Sequence, residues 1–457
     1  MCCALAFAAG HAARADEDSS SDIDWLRHVV AVPPKADHLH MDREQALAFI
    51  NVNTRIHQQP LFGNATPMTG FSWSSPRPTR VPVGSTASAP LFDDPLQPAV
   101  DPIRNGEEWL WLHGGTTLDI YDSMVFQALS DSLPGTRSSE ATNRFNLRVD
   151  TKLFEWDDRS HTQFTVQWRA NTAMPSGSQP LAQSVGSPEG LNAQRTSFDT
   201  RLTRLLLAQG FCEDRFTVSV GKINPNDAMG LNLFASDETS QFLNTALDGN
   251  DVLPVGFQGY TEGAMFQALP LDWLYVNGVV SSASGTQGTS FDGTFQKGVF
   301  AGVEAGVILP VQGRPMRLSA SWGSSNANTA TLDGGPSVHG NAWTGIAQWM
   351  AMDDLGVWAQ FAVADASVAY TATSEGMAGI TLDGAFGRAG DGFGLGGGWS
   401  TPLATGERTQ GLVESYYRLQ VTGSLTLTFD VQVLVPPASE ALPGAVVAGA
   451  LRAKFAF

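Results

Sequence analysis

From Arg144 to the final Phe457, apolar side chains recur at every second position in run after run, and no other feature restricts the fold as tightly. In "RFNLRVDTKLFEW", Phe145, Leu147, Val149 and Leu153 share one side, while Asn146, Arg148, Asp150 and Lys152 share the other. In "TQFTVQWRAN", Phe164, Val166 and Trp168 alternate with Gln163, Thr165, Gln167 and Arg169. "GVFAGVEAGVIL" repeats the pattern with Gly302, Glu304 and Gly306 on the second side, and the last residues set Leu451, Phe455 and Phe457 against Arg452 and Lys454. A period of two is that of a β-strand with one apolar and one polar face.

Counting such segments back from the C-terminus gives sixteen expected strands, the last at 445–457 and the first at 109–127, with 378–386 the least regular. The links between them alternate in length. "WDDRS", "FCEDR", Pro270, "PVQGR", "GRAGD" and Thr422-Gly423-Ser424 are short, whereas 128–143, 171–198, 224–258 and 283–297 are long. Short turns on one rim and long loops on the other describe an up-and-down sheet. Lipid offers no partner to an exposed backbone edge, so a sheet that crosses it closes on itself, in bacterial examples with an even strand number. Trp109, Trp111, Trp168, Trp273, Tyr275, Trp343, Trp399 and Phe457 fall near expected strand ends, as interfacial aromatic girdles would. The reading is all-β: a 16-stranded antiparallel transmembrane barrel. A sandwich of that many strands would divide into domains with linkers, and none follows residue 109.

Sixteen strands enclose more space than side chains fill, which leads us to expect a water-filled channel. The polar row agrees, because it holds Arg148, Asp150, Arg169, Glu304, Glu414, Arg418, Asp430 and Arg452, and such groups in a dry core cost several kcal/mol each unless paired. With 27 Lys and Arg against 45 Asp and Glu, the net charge of −18 disfavours a nucleic-acid partner.

The opening "MCCALAFAAGHAARADEDSS" has an apolar run and a small-x-small Ala13-Arg14-Ala15, which we read as the remnant of an export signal over 1–15. Its removal takes Cys2 and Cys3 and leaves Cys212 alone, so no internal disulfide is expected. Residues 16–105, rich in Pro, Ser, His and Asp, read as a mostly irregular N-terminal extension, periplasmic or plug-like, with one helical candidate in "MDREQALAFINV". The barrel is expected over 106–457. No run of eighteen apolar residues suggests a transmembrane helix.

Four stretches carry a family likeness. "VSVGKINPNDAMGLNLFASDETSQFLNTAL" resembles a Gly-Lys-x-x-x-x-Asp segment followed by an Asn-Ala-containing loop; "GRAGDGFGLGGGW" resembles an Arg-x-x-Asp turn into a Gly-rich strand. "VESYYRLQVTGSLTLTFDVQVLVPPA" is similar to a Glu-x-x-Tyr-Arg strand and its successor, with Phe429 where a proline is usual, and "GAVVAGALRAKFAF" to a terminal Leu-Arg strand ending in Phe. Together they resemble the carbohydrate-selective porins of the Gram-negative outer membrane. The resemblance implies passive diffusion of monosaccharides or small oligosaccharides and an integral outer-membrane location reached by export across the inner membrane. It implies no catalysis and no cofactor. It also implies contact with outer-membrane lipid and lipopolysaccharide, handling by the barrel assembly machinery, and a monomer rather than a homo-oligomer.

Selectivity for a sugar comes from channel radius and from side chains that exchange hydrogen bonds with hydroxyls without retaining them. The expected pore-lining or sugar-path residues are Arg148, Asp150, Arg169, Glu304, Glu414, Tyr416, Arg418, Asp430, Gln432, Arg452 and Lys454. The longest loops, 171–198 and 224–258, supply constriction candidates Arg195, Lys222, Asn224, Asn226, Asp227 and Asn244. Strict alternation sends Lys222 toward lipid, so it is expected at the rim or where the strand has already turned. His38-x-His40 lacks a third ligand at metal spacing, and Ser160-His161 lie together in one turn rather than opposed for nucleophilic catalysis. Alternatives to the sugar channel are a general porin for small hydrophilic solutes and a structural barrel serving an assembly partner.

Overall fold

The computed structural model describes residues 90–457 apart from 157–159, 176–178, 196–199, 213, 250–251, 254–258, 284–294, 297, 329–330, 332–334, 353 and 389. The signal-like start, the 41–52 helical candidate and the His38/His40 pair lie outside them.

Sixteen antiparallel strands, each paired with its sequence neighbours, close into a barrel where β1 (Thr116–Leu129) meets β16 (Val446–Ala456). The closing register pairs Val125 with Arg452 and Leu129 with Ala448, and the Phe457 N–H donates to Ile120 O at 3.1 Å. Strands β2 (Ser139–Glu155), β3 (His161–Met174), β4 (Thr200–Phe211) and β5 (Phe216–Ile223) follow β1. Then come β6 (Thr261–Leu271), β7 (Leu274–Ser282), β8 (Val299–Val311), β9 (Arg314–Ser325), β10 (Gly340–Met350) and β11 (Leu355–Ala364). β12 (Ala372–Asp383), β13 (Gly392–Pro402), β14 (Gln410–Gln420) and β15 (Leu425–Leu434) complete the wall. Short turns and long loops alternate between the two rims as the sequence implies.

Alternation sorts the wall by solvent. Phe126, Phe266, Phe361, Val413, Phe429, Val431 and Leu451 are exposed on the outside, and their neighbours Gln127, Gln360, Glu414, Thr428, Asp430, Gln432 and Arg452 are buried on the inside. Trp168, Trp273, Trp343 and Trp399 are exposed on the outer wall. Tyr275 corrects the girdle: it is buried inside, donating to Glu304 at 2.7 Å.

The expected first strand also needs correction. Residues Gln97–Gly114 form helix α1, and strand structure starts only at Thr116. Asp94 accepts the Leu96 N–H ahead of the helix, and Gly115 at φ +56° turns the chain into β1. The helix runs along the short-turn rim, with Arg104 donating to Gly423 O at 3.3 Å. Val100 is buried, while Ile103 and Trp109 stay exposed.

The largest correction concerns the interior. Rather than enclosing open water throughout, the barrel receives two of its long loops. The β3–β4 loop brings in helix α2 (Leu181–Val185), whose Leu181, Ala182 and Val185 join an apolar cluster with Leu412, Leu434, Leu442 and Val446. The β5–β6 loop adds Leu233, Phe234, Phe242, Ala246 and Leu247 to the same cluster, together with wall residues Trp358, Met377 and Tyr416. Phe242 stands edge-on to Tyr416 (5.0 Å between centroids, 86°) and to Trp358 (5.9 Å, 75°). Glycine on the facing wall makes the seat: a Cβ at Gly356 would lie 2.2 Å from the Phe234 ring.

Candidate functional site

The β5–β6 loop crosses the lumen and returns. It leaves the wall near β8, where Glu304 accepts the Gly230 N–H (2.8 Å), and passes β10, where Gln348 accepts the Leu233 N–H (2.9 Å). At β12, Thr381 donates to Phe234 O (2.6 Å). The loop reaches β2 and β16 around Glu238 and comes back to β11, where Gln360 donates to Ala246 O (2.7 Å). The returning leg carries α3 (Thr245–Asp248), capped by Asn244, whose side chain accepts the Ala246 N–H.

Where the loop meets β2–β4, charged side chains converge. In register, Arg144 stands opposite Asn171, Arg169 opposite Asn146, and Arg204 opposite Gln167. Arg204 points inward because the β3–β4 ladder slips between Gln167 and Trp168, so Arg201 and Arg204 are both buried although three residues apart. Three guanidiniums so close would repel one another. Two loop carboxylates answer them. Glu238 pairs with Arg144 and lies 3.8 Å from Arg169; Asp227 pairs with Arg204 at 2.7 Å. Burial acts to raise the Glu238 carboxyl, but Arg144 and Arg169 outweigh it and hold the group below its ordinary range. Tyr260 completes the ring. Arg169 donates to its hydroxyl, and the guanidinium carbons of Arg169 and Arg204 lie 5.5 and 5.8 Å from its centroid.

Toward the short-turn rim, Asp150 accepts two bonds from Arg148 (2.7 and 3.0 Å) and one each from Gln163 and Thr165. Lys454 lies 4.9 Å from the Tyr121 centroid and donates to Thr239 of the loop at 2.8 Å. Arg418 pairs with Asp383 at 2.8 Å. Polar groups therefore cover the β1–β3 sector, while apolar packing fills the β11–β16 side and a second apolar cluster joins Leu206, Ile223, Met265, Val279 and Phe300 to Met229 of the loop.

The sequence-predicted residues divide by what they touch. Arg169 and Asp227 belong to the arginine–carboxylate cluster, and Arg148, Asp150, Lys454 and Arg418 form separate contacts on the inward face of the wall. Glu304 is held by Arg317, Tyr275 and Ser321, each at 2.7 Å. Glu414, Gln432 and Arg452 bond the inward loops: Glu414 accepts the Leu243 and Asn244 N–H groups (2.5 and 3.0 Å), and Gln432 donates to Leu191 O (2.9 Å). Arg452 donates to Glu238 O and Gln241 O (2.7 and 2.8 Å). Asp430 sits beside Gln432 (3.4 Å), and Tyr416 packs on Phe242. Arg195 pairs with Glu140 at 3.1 Å. Asn224 caps the short turn Pro225–Asp227, accepting the Asn226 N–H, and Asn244 also donates to Gln432 (3.3 Å). Lys222 is 1% exposed and opposite Glu262, after Gly221 at φ +132° interrupts the alternation that would send it to lipid.

Sequence reasoning missed Arg144, Arg204, Glu238 and Tyr260. Arg144 shares the parity of Arg148 and was legible; Arg204 was hidden by the register slip, and Glu238 and Tyr260 lie where no period applies.

Comparison with known proteins gives the following. A model of the carbohydrate-selective porin family, OprB family, matches residues 152–312 and 318–457. The high-pH structure of Pseudomonas putida OprB superposes with a TM-score of 0.62 at 16% identity, covering 82% of this chain and 100% of that one. The low-pH structure of the same protein gives a TM-score of 0.49 at 14% identity, covering 78% and 96%. At 16% identity the first of these likenesses is one of fold. No curated protein matches the chain.

Proposed function

The chain belongs to the carbohydrate-selective porin family, and from that premise we propose that it is a passive outer-membrane channel selective for monosaccharides or small oligosaccharides, filtered at the strait between β2–β4 and the β5–β6 loop. The observation that carries this reading is the grouping of Arg144, Arg169 and Arg204 with Glu238 and Asp227 around the Tyr260 ring. A sugar entering a narrow passage loses water from many hydroxyls at once. Guanidiniums donate to hydroxyl oxygens, carboxylates accept hydroxyl protons, and a phenol face meets the C–H side of the ring. Because the two carboxylates offset two of the three guanidiniums, the strait offers hydrogen bonds with only a small net field, which favours a neutral polar solute over either ion. Each group also has a protein partner to return to, so the solute is exchanged rather than held.

The test is ion current through single channels in planar bilayers with glucose, a disaccharide and a size-matched amino acid added in turn. A sugar channel shows current block by sugar at millimolar concentration and little by the amino acid. Equal block by all three rejects sugar selectivity and leaves a general porin. The apolar packing of both loops inside the barrel favours a second reading, a closed barrel serving an assembly partner; absence of any conductance from the folded protein selects it.

A further inference from the structure

We infer that Glu414 and Arg452 are positioning residues for the filter, forming a two-point clamp on the main chain of 238–244, rather than groups that meet the solute. The inference rests on the channel reading for its functional consequence, though not for its geometry. Both residues are fully buried. Glu414, on β14, uses both carboxylate oxygens on the consecutive N–H groups of Leu243 and Asn244, at 2.5 and 3.0 Å. Arg452, on β16, gives both terminal guanidinium nitrogens to the carbonyls of Glu238 and Gln241, at 2.7 and 2.8 Å. The carboxyl group thus meets main-chain donors and the guanidinium meets main-chain acceptors at the two ends of one short segment. The guanidinium's charge-assisted bonds are about twice as strong as neutral ones, and two bonds from one group also fix direction.

The clamped segment carries Glu238, the carboxylate that faces Arg144 and Arg169. Its Cα position is therefore set from β14 and β16, while its side chain works at β2 and β3 on the other side of β1. Lys454 on Thr239 and Gln432 on Asn244 add a bond at each end from β16 and β15. Weakening either grip releases the backbone from which Glu238 projects and widens the strait without touching a residue that lines it.

The experiment compares Glu414→Gln, Glu414→Ala and Arg452→Met with the wild type, each shown to be folded by its heat-modifiable migration in detergent. Backbone hydrogen exchange of 238–246 is measured together with single-channel conductance and current noise. The clamp predicts at least tenfold faster exchange at Leu243 and Asn244 in Glu414→Ala. Glu414→Gln, which keeps one acceptor oxygen, is expected to be intermediate, and strand amides to stay unchanged. Conductance and noise rise in the same order. Exchange in 238–246 within twofold of wild type in all three variants overturns the proposal. Faster exchange with higher conductance, but no discrimination of sugars in any protein, leaves the clamp standing and removes the sugar reading instead.

Discussion

At the scale of single residues, the contest is between burying charge and pairing it. Arg144 is nearly inaccessible while Glu238 keeps 13% of its side chain exposed, and breaking a buried pair from one side costs about 3–5 kcal/mol because the partner is left behind. Arg144 also donates to Ala193 O and Gln194 O, so Glu238→Gln is expected near the lower end of that range. The same substitution leaves Arg144 and Arg169 less balanced, and the reversal potential in a salt gradient is expected to move toward anion selectivity. Steric limits are as local. Gly356→Val forces Phe234 off its seat and should cost about 1–3 kcal/mol, measured as a lowered unfolding temperature in detergent. Gly221→Ala is worse placed, because φ is +132° and the Leu205 carbonyl lies 2.2 Å from the added carbon. What the sequence disclosed at this scale follows parity: Arg148, Arg169 and Arg452 sit on regular strands and could be assigned a side. Arg204 and Lys222 sit beside a slipped ladder and a left-handed glycine, and there alternation misleads.

At the scale of elements, two loops and one helix were harder to read than sixteen strands. The apolar stretches of the β5–β6 loop, "GLNLFAS" and "QFLNTALD", were a signal that water is not its solvent, but nothing local says which wall receives them. Acid–base behaviour belongs to these elements. Burial, with Glu238 and Asp237 nearby, pushes the Asp248 carboxyl well above its ordinary range, against the opposing pull of Arg144 and Arg452. The folded loop thus favours the neutral acid; this contribution is complete in acid and is lost as pH rises through the raised value. Exchange protection of 245–249 is expected to fall on going alkaline, and Asp248→Asn to remove the dependence. Helix α1 follows the same sign. Burial and the neighbouring Asp119 raise Glu107 to about 7, opposed by the Leu118 N–H and Arg104. Docking of α1 is therefore strongest in acid and weakens above neutrality. A fluorophore on the exposed Trp109 side should report this step in wild type and not in Glu107→Gln.

At the scale of the whole molecule, strand number, closure and sidedness were all legible, because hydrocarbon outside and polar groups inside impose one rule on more than three hundred residues. How full the interior is was not legible, since that depends on loops whose contacts are all long-range. Deleting 231–249 while keeping the wall is expected to raise single-channel conductance several-fold and to leave heat-modifiable migration intact. An unchanged conductance would place the limiting passage elsewhere, in the β3–β4 loop. The wall takes hold of the crossing segment through carbonyls and amides: Gln348, Gln360, Thr381, Glu414 and Arg452 all bond its main chain. Peptide groups are the same whatever residue bears them. Replacing Glu238 therefore leaves this mooring in place, and on the proposed channel reading the barrel offers a chassis on which a new solute preference can be written a few side chains at a time.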